Sequence, residues 1–596
     1  MMQPPTSPAM PAKPAATAGR LLPWVSLHAE RVMLGAILVA VVAKFVLIAR
    51  INVSWDEFYF LEFAHQYARG ELTGRFQTFH VHLFSWLPAL GSEVPEQVMA
   101  GRLVMALLAT AGAFLAYGIA RRFVTRRGAL FALLAYLSVS AVIEDGSSFR
   151  VDPIVTFLSL LALFAILCRP AGARGAMLAG AAMALAILVT VKSAFYLVVI
   201  GGVFWCLEHS LRDRAKLALP FAASFVLVTA ALFAYHDATL APHAAADAGA
   251  FLKGSATKAF FDGVFPRAFD LIWMLIPNLL FWLMLAQGAA IAWSVARGPQ
   301  SRNGWLPYLP LVLALPVLTP ILYRNAFPYF YPFILAPATI LVGVAFDRHR
   351  QHGAKDIPPA KLAAMLVLVQ CAILAFGIVS KIGDNARVQR ETIAAVRAVF
   401  PQPVPHIEGF GVLADYPRAG FFMSSWGVEN YRRTGQPVFA DLIARLQPPF
   451  VLADSPSLFA ALVPGVKVDP TRALLAEDAQ ALQDNYIRHW GMLFVAGKQL
   501  RPVDGASFDI AIAGAYRLEA AASLIIDGNR ISPGGTVTLA AGAHSMDFSG
   551  APGEAALRWA QASAVPALPP TDPLAFFNRK SWAGMTPFMV RSGPAR

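Results

Sequence analysis

The chain is predicted to be a polytopic α-helical membrane protein of about 11 spans, followed by a C-terminal extracytoplasmic α/β domain and a small β-sandwich. Three observations lead there. Of the 596 residues, 57% are hydrophobic and only 14% charged, whereas about a quarter of a soluble domain is charged. Apolar stretches of the length that crosses hydrocarbon, about 20 residues, recur as far as Ser380 and then stop. Beyond Lys381 the hydrophobic pattern turns to mixed short elements, and from Ser507 it alternates with a period of two.

The elements follow in order. Residues 1–30, with Pro4, Pro5, Pro8, Pro11 and Pro14, have the composition of a disordered cytoplasmic N-terminus. No short cleavable apolar region precedes the first full span, which therefore reads as an uncleaved anchor. The predicted spans are 32–51, 98–120, 129–143, 154–168, 176–191, 194–207, 217–235, 271–295, 306–323, 329–346 and 362–378, within a membrane domain of residues 31–380. Residues 381–500 read as an α/β domain: 388–400 has helical spacing, and 449–454 is a buried strand ending in a turn. Residues 501–565 read as the β-sandwich, with runs at 508–512, 516–518 and 523–526 separated by Asp527-Gly528-Asn529 and Pro533-Gly534-Gly535. Residues 566–596 form a C-terminal tail.

Alternate loops carry the cations: Arg121, Arg122, Arg126 and Arg127, then Arg212, Arg214 and Lys216, then Arg348, Arg350 and Lys361. Lys and Arg are retained on the cytoplasmic side, so the loop with Asp56, Glu57, Glu62 and Glu71 faces outward, as does the C-terminal portion. The net charge of +13 is accounted for by this topology, and no basic patch interleaved with aromatics suggests nucleic acid. Cys168, Cys206 and Cys371 fall in or at the ends of spans and imply no disulfide framework.

The residues suited to chemistry lie at the outward ends of the spans. Asp56 and Glu57 follow the first span directly, where adjacent carboxylates are costly without a cation, a polar partner or a substrate. A structural alternative is that Asp56 N-caps the helix that follows. His80 and His82 stand in an aromatic stretch with no third metal ligand nearby, which favours hydrogen bonding or substrate contact over metal binding. The second outward loop brings Glu144, Asp145, Arg150 and Asp152 to the entry of the next span. Arg150 either neutralises Asp152 or holds a phosphate through a forked pair of hydrogen bonds. Lys192 and Arg324 are further outward cations, with Lys44, Lys253, Lys258 and Arg267 as weaker ones of the same kind.

The Asp-Glu pair after the first span, Arg150-Val151-Asp152, Lys192 and the Arg324 to Pro332 segment together resemble the GT-C glycosyltransferases. The nearest branch is that of bacterial lipid A aminoarabinose transferases and protein O-mannosyltransferases, and the likeness covers roughly residues 30–380. It implies a GT-C-like fold in a bacterial inner membrane and transfer of a sugar from a polyprenyl-phosphate carrier to a glycan, lipid or protein acceptor on the outer side. It further implies that Asp56 accepts the proton from, or orients, the acceptor hydroxyl, that Glu57 supports it, and that Lys192, Arg150 and Arg324 hold the phosphate, with no metal or other cofactor. Where the aminoarabinose enzymes carry a Lys-Pro-Pro-like segment before a Trp, this chain reads Phe79 to Pro88, which leaves donor and acceptor open. The alternative of a transporter or flippase for a lipid-linked sugar would call for polar residues inside several spans, whereas the charges here gather at the outward edge.

Overall fold

The computed structural model describes residues 15–91, 93–168, 172–208, 210–242, 263–298, 304–354, 356–383, 386–501, 506–548, 554–562 and 564–577. Lys253, Lys258, the proline-rich residues 4–14 and residues 578–596 of the tail lie outside them.

The N-terminal two thirds form a helical bundle. In chain order its main helices are α1 (Ala15–Leu47), α2 (Trp55–Ala68), α3 (Val94–Ala120), α4 (Arg126–Leu137), α5 (Val151–Leu167), α6 (Ala173–Val189), α7 (Ala194–Leu207), α8 (Leu211–Ala238), α9 (Ala268–Leu275), α10 (Leu279–Ala296), α11 (Tyr331–His352) and α12 (Pro359–Val379). Helix α11 is the centre. It is apolar on all faces, as a helix must be to sit inside a bundle, and it packs on α3, α4, α5, α10 and α12. Helix α8 is peripheral, with Leu219, Val226 and Leu227 more than half exposed, as suits a lipid-facing helix.

Among the described residues, five helices are long and apolar enough to cross a membrane: Val94–Ala120, Leu211–Ala238, Leu279–Ala296, Pro328–His352 and Pro359–Val379. The expected count of 11 is not reached on this measure, for identifiable reasons. Helices α5 and α6 have 17 residues each and rise only about 26 Å. The span expected at 129–143 is interrupted between α4 and a short helix, Ser140–Glu144. That at 271–295 breaks between α9 and α10, where Pro277 supplies no N–H. That at 306–323 contains Pro307, Pro310, Pro316 and Pro320, and folds as 3-10 turns around the short helix Leu309–Leu313.

The basic loops come together at one end of the bundle. Glu30 pairs with Arg126 (3.6 Å) and Arg127 (3.0 Å), and Asp347 of α11 accepts hydrogen bonds from the Thr125 amide (2.7 Å) and hydroxyl (2.5 Å) at the start of α4. Asp56, Arg150, Lys192 and Tyr329 come together at the other.

The C-terminal third begins with α13 (Arg387–Val399), and its described residues contain twelve strands: β1 (His406–Glu408), β2 (Arg418–Ala419), β3 (Phe450–Leu452), β4 (Tyr486–Trp490), β5 (Leu493–Leu500), β6 (Ser507–Ile510), β7 (Gly514–Glu519), β8 (Leu524–Ile526), β9 (Asn529–Ile531), β10 (Thr536–Leu539), β11 (Gly542–Asp547) and β12 (Ala555–Trp559). One sheet runs β10-β7-β12-β5-β3-β1-β2, with β4 also on β5, and a second runs β6-β11-β8-β9. The division expected at 500/501 is therefore no break in the fold. Strand β12 lies along β5, with Ala555 opposite Leu500 and Arg558 opposite Gly497, so the sandwich strands and the parallel β2-β1-β3 group share one ladder.

Close helix approach in this bundle depends on small residues. A Cβ at Gly288 of α10 would stand 1.8 Å from the Leu341 carbonyl oxygen of α11, whereas one at Gly201 of α7 would meet nothing within 4 Å. Gly288→Ala is expected to cost about 3 kcal/mol by overpacking and to lower the melting temperature of the protein in detergent, with Gly201→Ala unchanged.

Candidate active site

Helix α2 starts at Ser54, not Asp56. Ser54 is the N-cap, and Glu57 reaches back to accept a hydrogen bond from the Ser54 amide at 2.9 Å. Asp56 is thereby released from capping, the role it would have had as a purely structural residue. Its Oδ2 accepts a hydrogen bond from Nη1 of Arg150, and it opens onto a cavity of about 550 Å³ at the end of the bundle.

Glu57, expected beside Asp56 in the chemistry, is fully buried and does not line the cavity. Its two oxygens take hydrogen bonds from Arg102 (2.7 Å to Oε1, 2.6 Å to Oε2) and from the Phe149 amide (2.7 Å to Oε1). It thus ties the start of α2 to the residue just before Arg150, and so sets the distance between Asp56 and its partner. Glu57 is a positioning residue.

Arg150 precedes α5, and Asp152 lies in its first turn. Arg150 is 5% exposed. Its Nε is 3.4 Å from Asp152 Oδ2, and its guanidinium lies 3.5 Å from the centre of the Tyr329 ring. Lys192, on the 3-10 turn between α6 and α7, donates to Asp152 Oδ1. Arg150 pairs with two carboxylates and also lines the cavity. Asp56, Arg150, Asp152 and Lys192 form one chain of alternating charge, buried except at its partly exposed Asp56 end.

Glu144 and Asp145 also line the cavity, Glu144 with Lys381 at 2.8 Å. Arg324 does not line it. Its Nη2 pairs with Glu429 (2.5 Å), its guanidinium lies 4.9 Å from the Trp426 ring, and its carbonyl accepts a hydrogen bond from Arg267 Nε at 2.9 Å. Of these two arginines it is Arg267 that reaches the cavity wall, stacked 4.1 Å from Phe327.

His80 and His82 lie away from the cavity lining. His80 packs edge-on against Phe60, ring centres 5.0 Å apart, and burial pushes its pKa down to about 4. His82 hydrogen-bonds His236 of α8 (2.8 Å), whose other ring nitrogen meets the Thr78 hydroxyl at 3.0 Å. Among the described residues no group of three His, Cys, Asp or Glu side chains is disposed to hold a metal.

The outer portion roofs the cavity. Phe410 stacks on Trp55 with ring centres 5.2 Å apart. The loop bearing it is held by the buried Asp454, which accepts from the amides of Gly409 (2.6 Å) and Phe410 (2.9 Å). Burial and the nearby Glu408 raise the Asp454 pKa well above the usual carboxylate range. Arg418 of β2 reaches Glu62 of α2 at 2.7 Å, and Gln389 of α13 exchanges two hydrogen bonds with the backbone of Val53 (2.6 and 2.8 Å).

Two residues on which the site depends escaped the sequence reading. Arg102 lies inside a predicted span, and a lone guanidinium among apolar residues is itself the signal that it has a partner. Gln389 gave no signal.

Arg102→Met leaves the Glu57 carboxylate buried without its counter-ion, at an expected cost of about 3–5 kcal/mol. Adding Glu57→Gln should recover part of the lost thermal stability in detergent. His80, whose ordinary value is 6.5, stays neutral in the fold down to about 4, so the unfolded chain takes up the proton first. Stability is therefore lost as pH falls from 6.5 toward 4, and His80→Phe should flatten that part of the melting-temperature profile.

Residues 80–236 match the family model described as dolichyl-phosphate-mannose-protein mannosyltransferase. No curated protein matches the chain by sequence. Its fold is similar to that of ArnT from Cupriavidus metallidurans in two crystal structures. The one bound to undecaprenyl phosphate has a TM-score of 0.51 at 18% identity, covering 76% of this chain and 96% of that one. The apo form has a TM-score of 0.50 at 17% identity, covering 74% and 97%. The resemblance read from the Asp-Glu pair and the outward cations is borne out: the family model and the solved structures that match are those of GT-C glycosyltransferases, and this apolar, helical chain shares their fold.

Proposed function

We propose that this protein transfers a sugar from a polyprenyl-phosphate carrier to a hydroxyl of an envelope glycolipid, glycan or protein, on the outer side of a bacterial inner membrane. The observation that carries the reading is the convergence of Asp56, Arg150, Lys192 and Arg267 on one cavity beneath an aromatic roof. The gathering of basic loops at the opposite end of the bundle supports the orientation.

In the reaction the acceptor oxygen bonds to the anomeric carbon as the bond from that carbon to the phosphate oxygen breaks. The acceptor proton passes to Asp56, and the bonding electron pair leaves with the carrier phosphate. Arg150 holds Asp56 aimed at the cavity, and a general base must be so positioned. The alternating set of Asp56, Arg150, Asp152 and Lys192 carries no net formal charge, so the charge growing on the leaving phosphate needs a further cation. Arg267, outside that set, supplies it. Arg324 acts through Arg267, whose Nε its carbonyl holds. Glu144 and Asp145, on the cavity wall, are suited to sugar or acceptor hydroxyls.

Transfer from radiolabelled polyprenyl-phosphate sugars in membranes tests the reading. Asp56→Asn, at matched expression, is expected to reduce the rate by about 100-fold or more. Unchanged transfer would remove Asp56 from the mechanism.

A further inference from the structure

One buried acid in the cavity has no task in the reaction just described. Asp270 lies in the first turn of α9, is 5% exposed, lines the cavity, and has an oxygen, Oδ1, without a hydrogen-bond partner among the described residues. Arg267, three residues earlier, does not close on it; its Nε serves the Arg324 carbonyl and its guanidinium stacks on Phe327. Leaving a buried carboxyl oxygen unpaired costs of order 1–3 kcal/mol or more, which a bound ligand with an O–H donor would relieve.

The helix shows what else stands beside it. Asp270, Trp273 and Met274 recur at helical spacing and all line the cavity, whereas Phe269 and Ile272 on the other face are 54% and 52% exposed. A carboxylate one turn from an indole presents two complementary surfaces. The first accepts hydrogen bonds from hydroxyls, and the second is a flat apolar face for the C–H side of a ring. We infer that Asp270 and Trp273 form a sugar-reading subsite, in which Asp270 accepts a hydrogen bond from a ring hydroxyl of the carried sugar and Trp273 packs under that ring. Because Arg267 is within one turn, the subsite adjoins the phosphate position, which assigns it to the donor sugar and not to the acceptor. The inference rests on the proposed polyprenyl-phosphate reading and adds which residues discriminate the sugar.

Equilibrium binding to the full-length protein in nanodiscs tests it, with bare undecaprenyl phosphate and with the same carrier bearing mannose, glucose or arabinose. Wild type is expected to bind at least one sugar-bearing carrier about tenfold more tightly than the bare carrier, the worth of a charge-assisted hydrogen bond. Asp270→Asn and Asp270→Ala should erase that preference and leave bare-carrier affinity intact, which also certifies their folding. Equal affinities of wild type and both variants for every carrier would overturn the inference. So would an equal loss for bare and sugar-bearing carriers, which marks a structural role. Failure of wild type to bind bare undecaprenyl phosphate would overturn the underlying reading of the cavity, a result visible before any variant is compared.

Discussion

One guanidinium organises the cavity end of this protein. Arg102 is 3% exposed and has five N–H donors, all engaged: Nε and Nη2 on Glu57, Nη1 on the carbonyls of Ile48 and Ile51, and the second Nη2 proton on that of Asn52. Those carbonyls belong to the chain leaving α1, and Glu57 belongs to the first turn of α2. A single buried cation therefore gathers the end of one helix and the start of the next into a fixed turn, and Asp56 projects from that turn. The desolvation of Arg102 is offset only because every donor is used and a carboxylate is among the acceptors. The turn is also gripped from outside, by Gln389 on Val53 and by Arg418 on Glu62. Helix α2 is thus held between the bundle and the outer domain, and its position is set by both.

The electrostatics of the cavity follow from that placement. Asp56, Arg150, Asp152 and Lys192 neutralise one another in sequence, so that no charge is left bare in a low-dielectric wall. Such a set keeps its geometry in the absence of ligand. Arriving charge must then be met by side chains outside it, and Arg267, oriented by a backbone carbonyl and an aromatic face, is built for that. The aromatic roof of Phe410 over Trp55 narrows access to water and raises the strength of every interaction beneath it.

Much of this was legible in the sequence. Asp56, Arg150, Asp152 and Lys192 could be picked out because charges at the edges of apolar spans are costly, and physical necessity then brings opposite signs together. The helices at 387–399 and the strands from 507 onward follow the periods that predicted them. What failed had definite causes. Hydropathy registers composition and not continuity, so the proline-punctuated 306–321 stretch scored like a helix. Adjacent carboxylates look equivalent in a sequence, but successive positions on a helix point some 100° apart, which sent Asp56 to the cavity and Glu57 to Arg102. His80 and His82 were conspicuous by type, yet their partners, Phe60 and His236, are set by tertiary packing. Arg267 looked like one more interfacial cation, since nothing local reveals a hydrogen bond to a carbonyl 57 residues away.

The ladder that joins β5 to β12 has a consequence for how the outer portion can vary. A module joined by a linker can be lost or exchanged as a cassette. This one cannot, because removing residues beyond 500 would strip Gly497–Leu500 of its β12 neighbour and leave an open strand edge ready to pair with another chain. Phe576 and Phe577, which follow the last strand, return to pack on Phe58 and Trp55 of α2. Variation in the outer portion is therefore confined to its turns, and the end of the described chain is sewn into the same wall as Asp56.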